Sequence, residues 1–320
     1  PPTNISMDYV TLGRTGLRVS VAGLGGGGHS RLGLVYGKTE DEAADLVRRA
    51  LDLGVNFLDT AANYGTEAAM GKALAGRDRS QVVVCTKTPI RRKTGQLLDG
   101  PSVTASVHAS LVALRLDCID VLYLHGVTPE EYDHCVAEIL PALAALRAAG
   151  KIRFIGITES FSADTAHAML ERAVQDSFWD VIMVGFNLLN PSARKRVLPG
   201  AQARNIGVVD MFAVRRALCN PASLQAIIAR LTVIGHKELA GLAHDNPLGF
   251  LVQPGAAESL TDAGYRFCRH EPGVHVVLFG TGNPVHLEHN VASLLRPPLP
   301  AAALDALQRY FGNVATESGN

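Results

Sequence analysis

The chain has 320 residues, 47% of them hydrophobic, and its 30 basic side chains balance 30 acidic ones. That length buries a large core, and the even charge gives no global field for nucleic acid or an anionic membrane. No apolar stretch approaches the ~18 residues of a membrane span, and the N-terminus PPTNISM lacks a signal-peptide core. The five cysteines (85, 118, 135, 219 and 268) show neither close pairing nor metal-type spacing. Reduced structural thiols in a cytoplasmic protein are therefore expected. Cys85, on a predicted core strand, reads as a small buried hydrophobe.

Residues 7–19, DYVTLGRTGLRVS, alternate around Gly13-Arg14-Thr15-Gly16 and predict a β-hairpin. VAGLG (21–25) reads as the first strand of the main sheet. Thr39 and Glu42 form a capping-box pattern ahead of a stripe at Ala43, Leu46, Val47, Ala50 and Leu53, with Gly54 as the stop. Strand 55–59 then leads to helix 66–75, and strand 82–87 to helix 103–116. Strand 119–125 leads to a helix opened by Thr128-Pro129 with Glu131 behind and closed by Gly150. Strands 152–158, 180–186 and 206–210 precede helices at 163–174, 191–204 and 221–231. HVVLFG (275–280) precedes a helix beginning at Asn283-Pro284.

Strands apolar on every side are buried on both faces, as in a parallel sheet. Eight strand–helix units with no linker or composition break predict one domain over 1–320, a (β/α)8 TIM barrel with an N-terminal β-hairpin. The Gly/Pro/His-rich stretch 235–257 lies in the longest inter-strand gap and reads as a lid or binding loop, with disorder as the competing reading. Arg91-Arg92-Lys93 reads as a solvated loop.

Gly23 to Gly28 formally satisfies G-x-G-x-x-G after a strand. A dinucleotide fold needs its helix to begin at once, so that its amides meet the pyrophosphate. Here HSRLGLVYGK intervenes before Thr39, so the run reads as glycines letting a cofactor or substrate approach the backbone at a barrel mouth.

In such a barrel the C-terminal strand ends share one face and carry the chemistry. Asp59, Lys87 and His125 end three successive strands, and Tyr64 follows Asp59 by five residues. A phenol is a poor acid at neutral pH. A neighbouring ammonium stabilises the phenolate, and a carboxylate keeps the ammonium charged. An imidazole beside them can hydrogen-bond and orient a substrate oxygen. Singly, each residue has an ordinary reading as turn cap, loop packing, solvated strand end or rim histidine. Together they supply what carbonyl reduction needs, a proton donor in a pocket with hydride from elsewhere.

The stretch GVNFLDTAANYGTEAAMGKAL (54–74), with its Asp-Thr-Ala-x-x-Tyr-Gly followed by Glu67 and Gly71, resembles the aldo-keto reductases. LGRTGLRVS, LRLDCIDVLYLHG and GKIRFIGIT are similar to family segments too, and the resemblance runs from Met7 to about Ala292. It implies that Tyr64 is the general acid/base, Lys87 its charged partner, Asp59 the counter-ion of the lysine and His125 the carbonyl-orienting group. It also implies a nicotinamide cofactor across the barrel mouth, and within the family the chain looks most like the aldose and L-galactose dehydrogenase branch.

Family cofactor contacts fall here on partly altered residues. The Ser-Asn pair that holds the carboxamide becomes Thr158-Glu159, a Gln becomes Met183, and a stacking aromatic falls on Phe186. The Ser-Pro-Leu loop around the pyrophosphate becomes Phe212-Ala213-Val214, followed by Arg215 and Arg216 as diphosphate clamps. In GTGNPVHLEHN (280–290), Gly280, Thr281, Asn283, His286 and Asn290 are the expected contacts, with the helix N-terminus receiving a phosphate. Relatives carry cations here for a 2′-phosphate, whereas this chain has Gly280, Gly282, His286 and His289. NAD or NADP is thus expected, with NAD favoured.

A nicotinamide-dependent oxidoreductase acting on a small carbonyl or sugar is the leading reading, with no nucleic-acid or membrane partner. A cofactor-binding regulatory or sensor protein on the same scaffold is the alternative, motivated by Glu159, Met183 and Phe212. A metal-dependent hydrolase using His29, His125 and Asp59 would need ligand spacing that is absent and would face the Lys87 cation, so no metal is expected. Substrate selectivity is expected in loops 26–38, 88–101, 126–130 and 235–257, with His29, Arg31 and Tyr36 as candidates. Trp179 reads as packing.

Overall fold

The computed structural model describes residues 6–320. The opening PPTNI, part of the stretch read above as lacking a signal-peptide core, lies outside the described residues. The Val- and Ile-rich runs form β3 (Ala22–Gly25), β4 (Phe57–Asp59), β5 (Val83–Pro89), β6 (Ile119–Val127), β7 (Ile152–Glu159), β8 (Val181–Gly185), β9 (Gly207–Met211) and β10 (Val276–Phe279). They close into a barrel in chain order, with β10 pairing back onto β3 and every pair parallel. The predicted hairpin is β1 (Tyr9–Thr11) against β2 (Arg18–Ser20), antiparallel around a 3₁₀ turn.

Side chains alternate along each strand, so every second residue enters the barrel. Phe57, Val83, Cys85, Val121, Tyr123, Val181, Met183, Val209 and Val276 fill the interior, and Leu12, Leu17 and Val19 of the hairpin segment join them. Gly13 lies against the backbone of Asn205–Gly207 at the start of β9. The hairpin therefore plugs the N-terminal end of the barrel and leaves the other end open for a site.

Helix starts follow the signals in the chain. Thr39 and Glu42 make both halves of a capping box ahead of Glu40–Asp52. Asp99 accepts the Ser102 amide and starts a helix at Gly100, three residues ahead of the predicted 103. After Thr128 the helix is interrupted: Cys135–Ile139 forms a π-turn before Leu140–Ala148. Pro141 has no N–H to give to an α-type bond, and a wider turn absorbs the gap. The helix expected over 163–174 shrinks to Ala168–Ala173, because the Asp164 carboxylate takes the amides of Ala168 and Met169.

Stretch 235–257 is packed rather than extended over the mouth. It contains the 3₁₀ turns Lys237–Gly241 and Gly249–Leu251, buries Leu239, Leu248 and Leu251, and sets Phe250 against Tyr310 of the helix Ala301–Phe311. Its leucines and Phe250 have partners, whereas Val252 stays exposed. Trp179 is fully buried and donates from Nε1 to Tyr132 Oη at 2.9 Å, which makes it a packing residue. Among the described residues no helix is long and apolar enough to cross a membrane.

Candidate active site

Asp59, Lys87 and His125 project inward at the open end, in the same parity as Phe57, Cys85 and Tyr123 below them. The turn after β4 brings Tyr64 to them. That turn is held by backbone bonds from Thr60 N to Cys85 O and from Ala62 N to Lys87 O, both 3.0 Å, and by the Thr60–Thr66 hydroxyl pair at 2.7 Å. The four residues singled out in the sequence thus meet. Lys87 Nζ donates to Asp59 Oδ2 at 2.6 Å and to Thr60 O at 2.9 Å, and lies 5.0 Å from the centroid of the Tyr64 ring. Tyr64 Oη is 3.3 Å from His125 Nε2, the two rings meeting edge to face.

The electrostatics follow from this burial. Desolvation works against the ammonium of Lys87, but the Asp59 carboxylate, with Tyr64 also contributing, holds Lys87 above its ordinary value. Burial pushes the Asp59 carboxyl upward against the pull of Lys87. His125 is pushed down to about 3, first by burial and then by the positive charges of Lys87 and Arg91. It is a neutral imidazole at physiological pH. A histidine depressed in the fold contributes stability above its unfolded value of about 6.5 that is lost as pH falls toward the folded one. We expect the His125 ring resonances to stay untitrated between about pH 5 and pH 8; a midpoint in that window, read by NMR, would contradict the burial described. Burial likewise raises the Cys85 thiol well above its ordinary range, so it is an inert core group.

Two glycines make room for the tyrosine. A Cβ on Gly27 would lie 2.6 Å from the Tyr64 ring, and one on Gly26 would lie 2.6 Å from Thr66 Oγ1. The run 23–28 therefore admits the turn bearing Tyr64, a closer partner than the ligand expected of it. Only a kinked 3₁₀ segment, Arg31–Tyr36, lies before the next α-helix at Glu40, which excludes the dinucleotide-fold reading of the run.

The expected cofactor contacts divide. Phe186 is a correction: it is fully buried, stacked on Phe267 at 5.4 Å, and belongs to the layer between barrel and helices. Met183 points into the barrel, so a residue three positions on has the opposite parity. Glu159 is likewise turned outward, where it meets His167 Nδ1 at 3.0 Å and accepts the Gly185 amide. Thr158 Oγ1, at the end of β7, accepts the Gly126 amide at 2.7 Å. Phe212, at φ 70, carries the Arg215 guanidinium 4.1 Å from its ring centroid. Among the described residues Arg215 pairs with no carboxylate, and burial lowers its pKa. Arg216 is exposed, and Val214 packs toward Gly264 of the helix Leu260–Arg269.

At β10 the backbone of Gly280 sits close to Gly25 O. Thr281 Oγ1 accepts the Asn283 amide, and Asn283 Oδ1 caps the helix Pro284–Leu294 by accepting the Val285 amide. His286 is exposed and Asn290 buried. Sequence reasoning missed Lys38, whose Nζ donates to Gly282 O at 2.6 Å and puts a cation beside this segment. It also underrated Arg91, which binds Glu131 and Gly126 O instead of standing in solvent. Of the substrate candidates, His29, Arg31 and Tyr36 are all exposed on the loop after β3. His29 is exposed, while His125 contacts Tyr64 and Asp59 holds Lys87.

A parallel barrel with a buried Lys–Asp pair beside a tyrosine and a neutral histidine defines a class. The model of the aldo/keto reductase family matches residues 23–310, and the chain belongs to that family. It is 31% identical over 298 residues to L-galactose dehydrogenase of Arabidopsis thaliana, covering 88% of this chain and 86% of that one. It is 31% identical over 219 residues to D-threo-aldose 1-dehydrogenase of a Pseudomonas species, covering 60% and 65%. An aldo-keto reductase from Bacillus halodurans in its holo form shares the fold, with a TM-score of 0.73 at 24% identity over 97% of this chain and 98% of that one.

Proposed function

We propose that the protein interconverts a carbonyl and an alcohol with a nicotinamide dinucleotide, Tyr64 exchanging the proton at the substrate oxygen. The observation that carries this is the buried ammonium of Lys87, fixed by Asp59 and Thr60 and facing the Tyr64 ring. In reduction Tyr64 Oη gives its proton to the substrate oxygen as negative charge grows there, and the ammonium of Lys87 stabilises the phenolate left behind. Neutral His125, whose Nε2 faces Tyr64 Oη, orients the carbonyl by hydrogen bonding beside the tyrosine. In oxidation the same groups run in reverse.

The residues present fit the cofactor. Arg215, half-buried and without a carboxylate partner among the described residues, suits a diphosphate, and the glycine backbone at 25, 27 and 280 permits close approach. Arg215 and the segment Gly280–Asn283 would hold it, and when bound it supplies the hydride. The names of the relatives support an aldose-type hemiacetal as substrate, oxidised to its lactone. Burial of Phe186 leaves one fewer stacking surface and favours the second reading, a cofactor-binding sensor of little turnover. Absorbance at the reduced-nicotinamide band with a panel of aldoses and aldehydes separates the two: turnover abolished in Tyr64→Phe supports the enzyme, and none with any substrate supports the sensor.

We expect NAD to bind at least as well as NADP, since neither His286 nor the glycines around it supply a cation to a 2′-phosphate and the nearby Lys38 ammonium is already bonded to Gly282 O. Measured Kd values for both settle it. A preference for NADP of about a hundredfold, equivalent to roughly 2.7 kcal/mol, would overturn the expectation, and its loss in Lys38→Met would identify the cation responsible.

A further inference from the structure

The segment after the last helix returns to the open end of the barrel and ties together the loops that follow β8 and β9. Asn190 Nδ2 donates to Glu317 O at 2.7 Å and Asn187 Nδ2 to Ser318 O at 3.3 Å, both from the loop after β8. From the loop after β9, the Ala217 amide donates to Gly319 O at 3.1 Å and Arg215 Nη1 to Ser318 O at 3.4 Å. Asn187 Nδ2 also donates to Phe212 O, so one side chain holds both the strap and the main chain of the residue whose ring lies under Arg215. The strap is anchored by a side chain: Glu317, 6% exposed, accepts from Arg230 Nε at 2.8 Å.

Among the described residues no group of opposite charge holds Arg215. Its contacts are the Phe212 ring, a weak bond to Ser162 Oγ at 3.5 Å and the carbonyl of Ser318. A long side chain on a half-buried loop loses rotamer freedom when it must bind an anion, and prior fixation removes that cost. We propose that Glu317 and Arg230 are positioning residues for the cofactor: by pinning the strap across both loops they hold the Arg215 guanidinium on Phe212, ready for the anionic bridge of a dinucleotide. This rests on the function proposed above. Because Arg230 is about half-exposed, its ion pair adds little to global stability, and its effect is local order.

Fluorescence titration with NADH tests this on the full chain. Glu317→Gln should raise Kd for NADH about five- to tenfold, the range expected when one long side chain must be ordered on binding. KM for the cofactor should rise with it, while kcat at saturating NADH and Tm are retained. Glu317→Arg combined with Arg230→Glu should restore Kd toward the wild-type value, which generic damage to a loop would not do. An unchanged Kd in Glu317→Gln, or failure of the swapped pair to recover, overturns the positioning role. A tighter Kd overturns it too, since the strap would then obstruct the site. A wild-type chain that binds no NADH at all refutes the functional reading instead.

Discussion

Tyr64→Phe should bind reduced nicotinamide as the wild type does and lose turnover by about three orders of magnitude, within the range that a general acid/base supplies. The change removes one oxygen and keeps the ring, which packs against Gly27 and faces Lys87. The loss should therefore fall on kcat, with substrate KM little changed, because the proton is needed in the transition state and not for docking. Stopped-flow oxidation of enzyme-bound NADH by an aldose or aldehyde reads the step directly. Retention of more than about a tenth of the wild-type rate, a loss below 1.4 kcal/mol in barrier, would remove Tyr64 from the chemistry.

The second large effect is on the fold. Lys87 and Asp59 are 2% and 4% exposed and bonded at 2.6 Å, so neither has water to fall back on. Lys87→Met strands the Asp59 carboxylate in the barrel, and removing one partner of a buried pair costs about 3–5 kcal/mol. The sign of the pH effect follows. Burial already raises Asp59 in the folded state, and without Lys87 nothing opposes it. A carboxyl raised above its unfolded value of ~3.9 contributes stability fully present below that value and lost as pH rises through the folded one. Thermal unfolding of Lys87→Met should thus show a Tm that falls from acid to neutral pH. A flat profile would mean that the carboxylate finds other partners.

Much of this molecule was legible in its residues, for identifiable reasons. The Val- and Ile-rich runs have no polar face, which only a sheet buried on both sides accommodates, and the capping box at Thr39 and Glu42 marks a helix start within one residue. Asp59, Lys87 and His125 could be brought together because each sits near a strand end, where barrel topology fixes its direction. Phe186 shows the limit. It lies just past Gly185, the last residue of β8, where parity and not residue type decides whether a ring faces the mouth or the helix layer. Glu159 was read as a cofactor neighbour lacking an amide, yet it answers to His167, eight residues on in a left-handed turn. Lys38 and Gly282 meet across 244 positions, and no local pattern carries that contact. The strap at 317–319 was equally silent, since its bonds to the two loops are made by main-chain oxygens.

The most direct test of the central claim separates charge from shape. Asp59→Asn combined with Lys87→Met removes both charges together at nearly constant volume, so the barrel should fold and bind NADH while Tyr64 and His125 keep their places. Single-turnover oxidation of bound NADH should then be slower than wild type by at least about a hundredfold, the lower end of what acid/base catalysis contributes. Transfer at a rate within tenfold of wild type would show that the tyrosine works without the lysine's charge and would contradict this account.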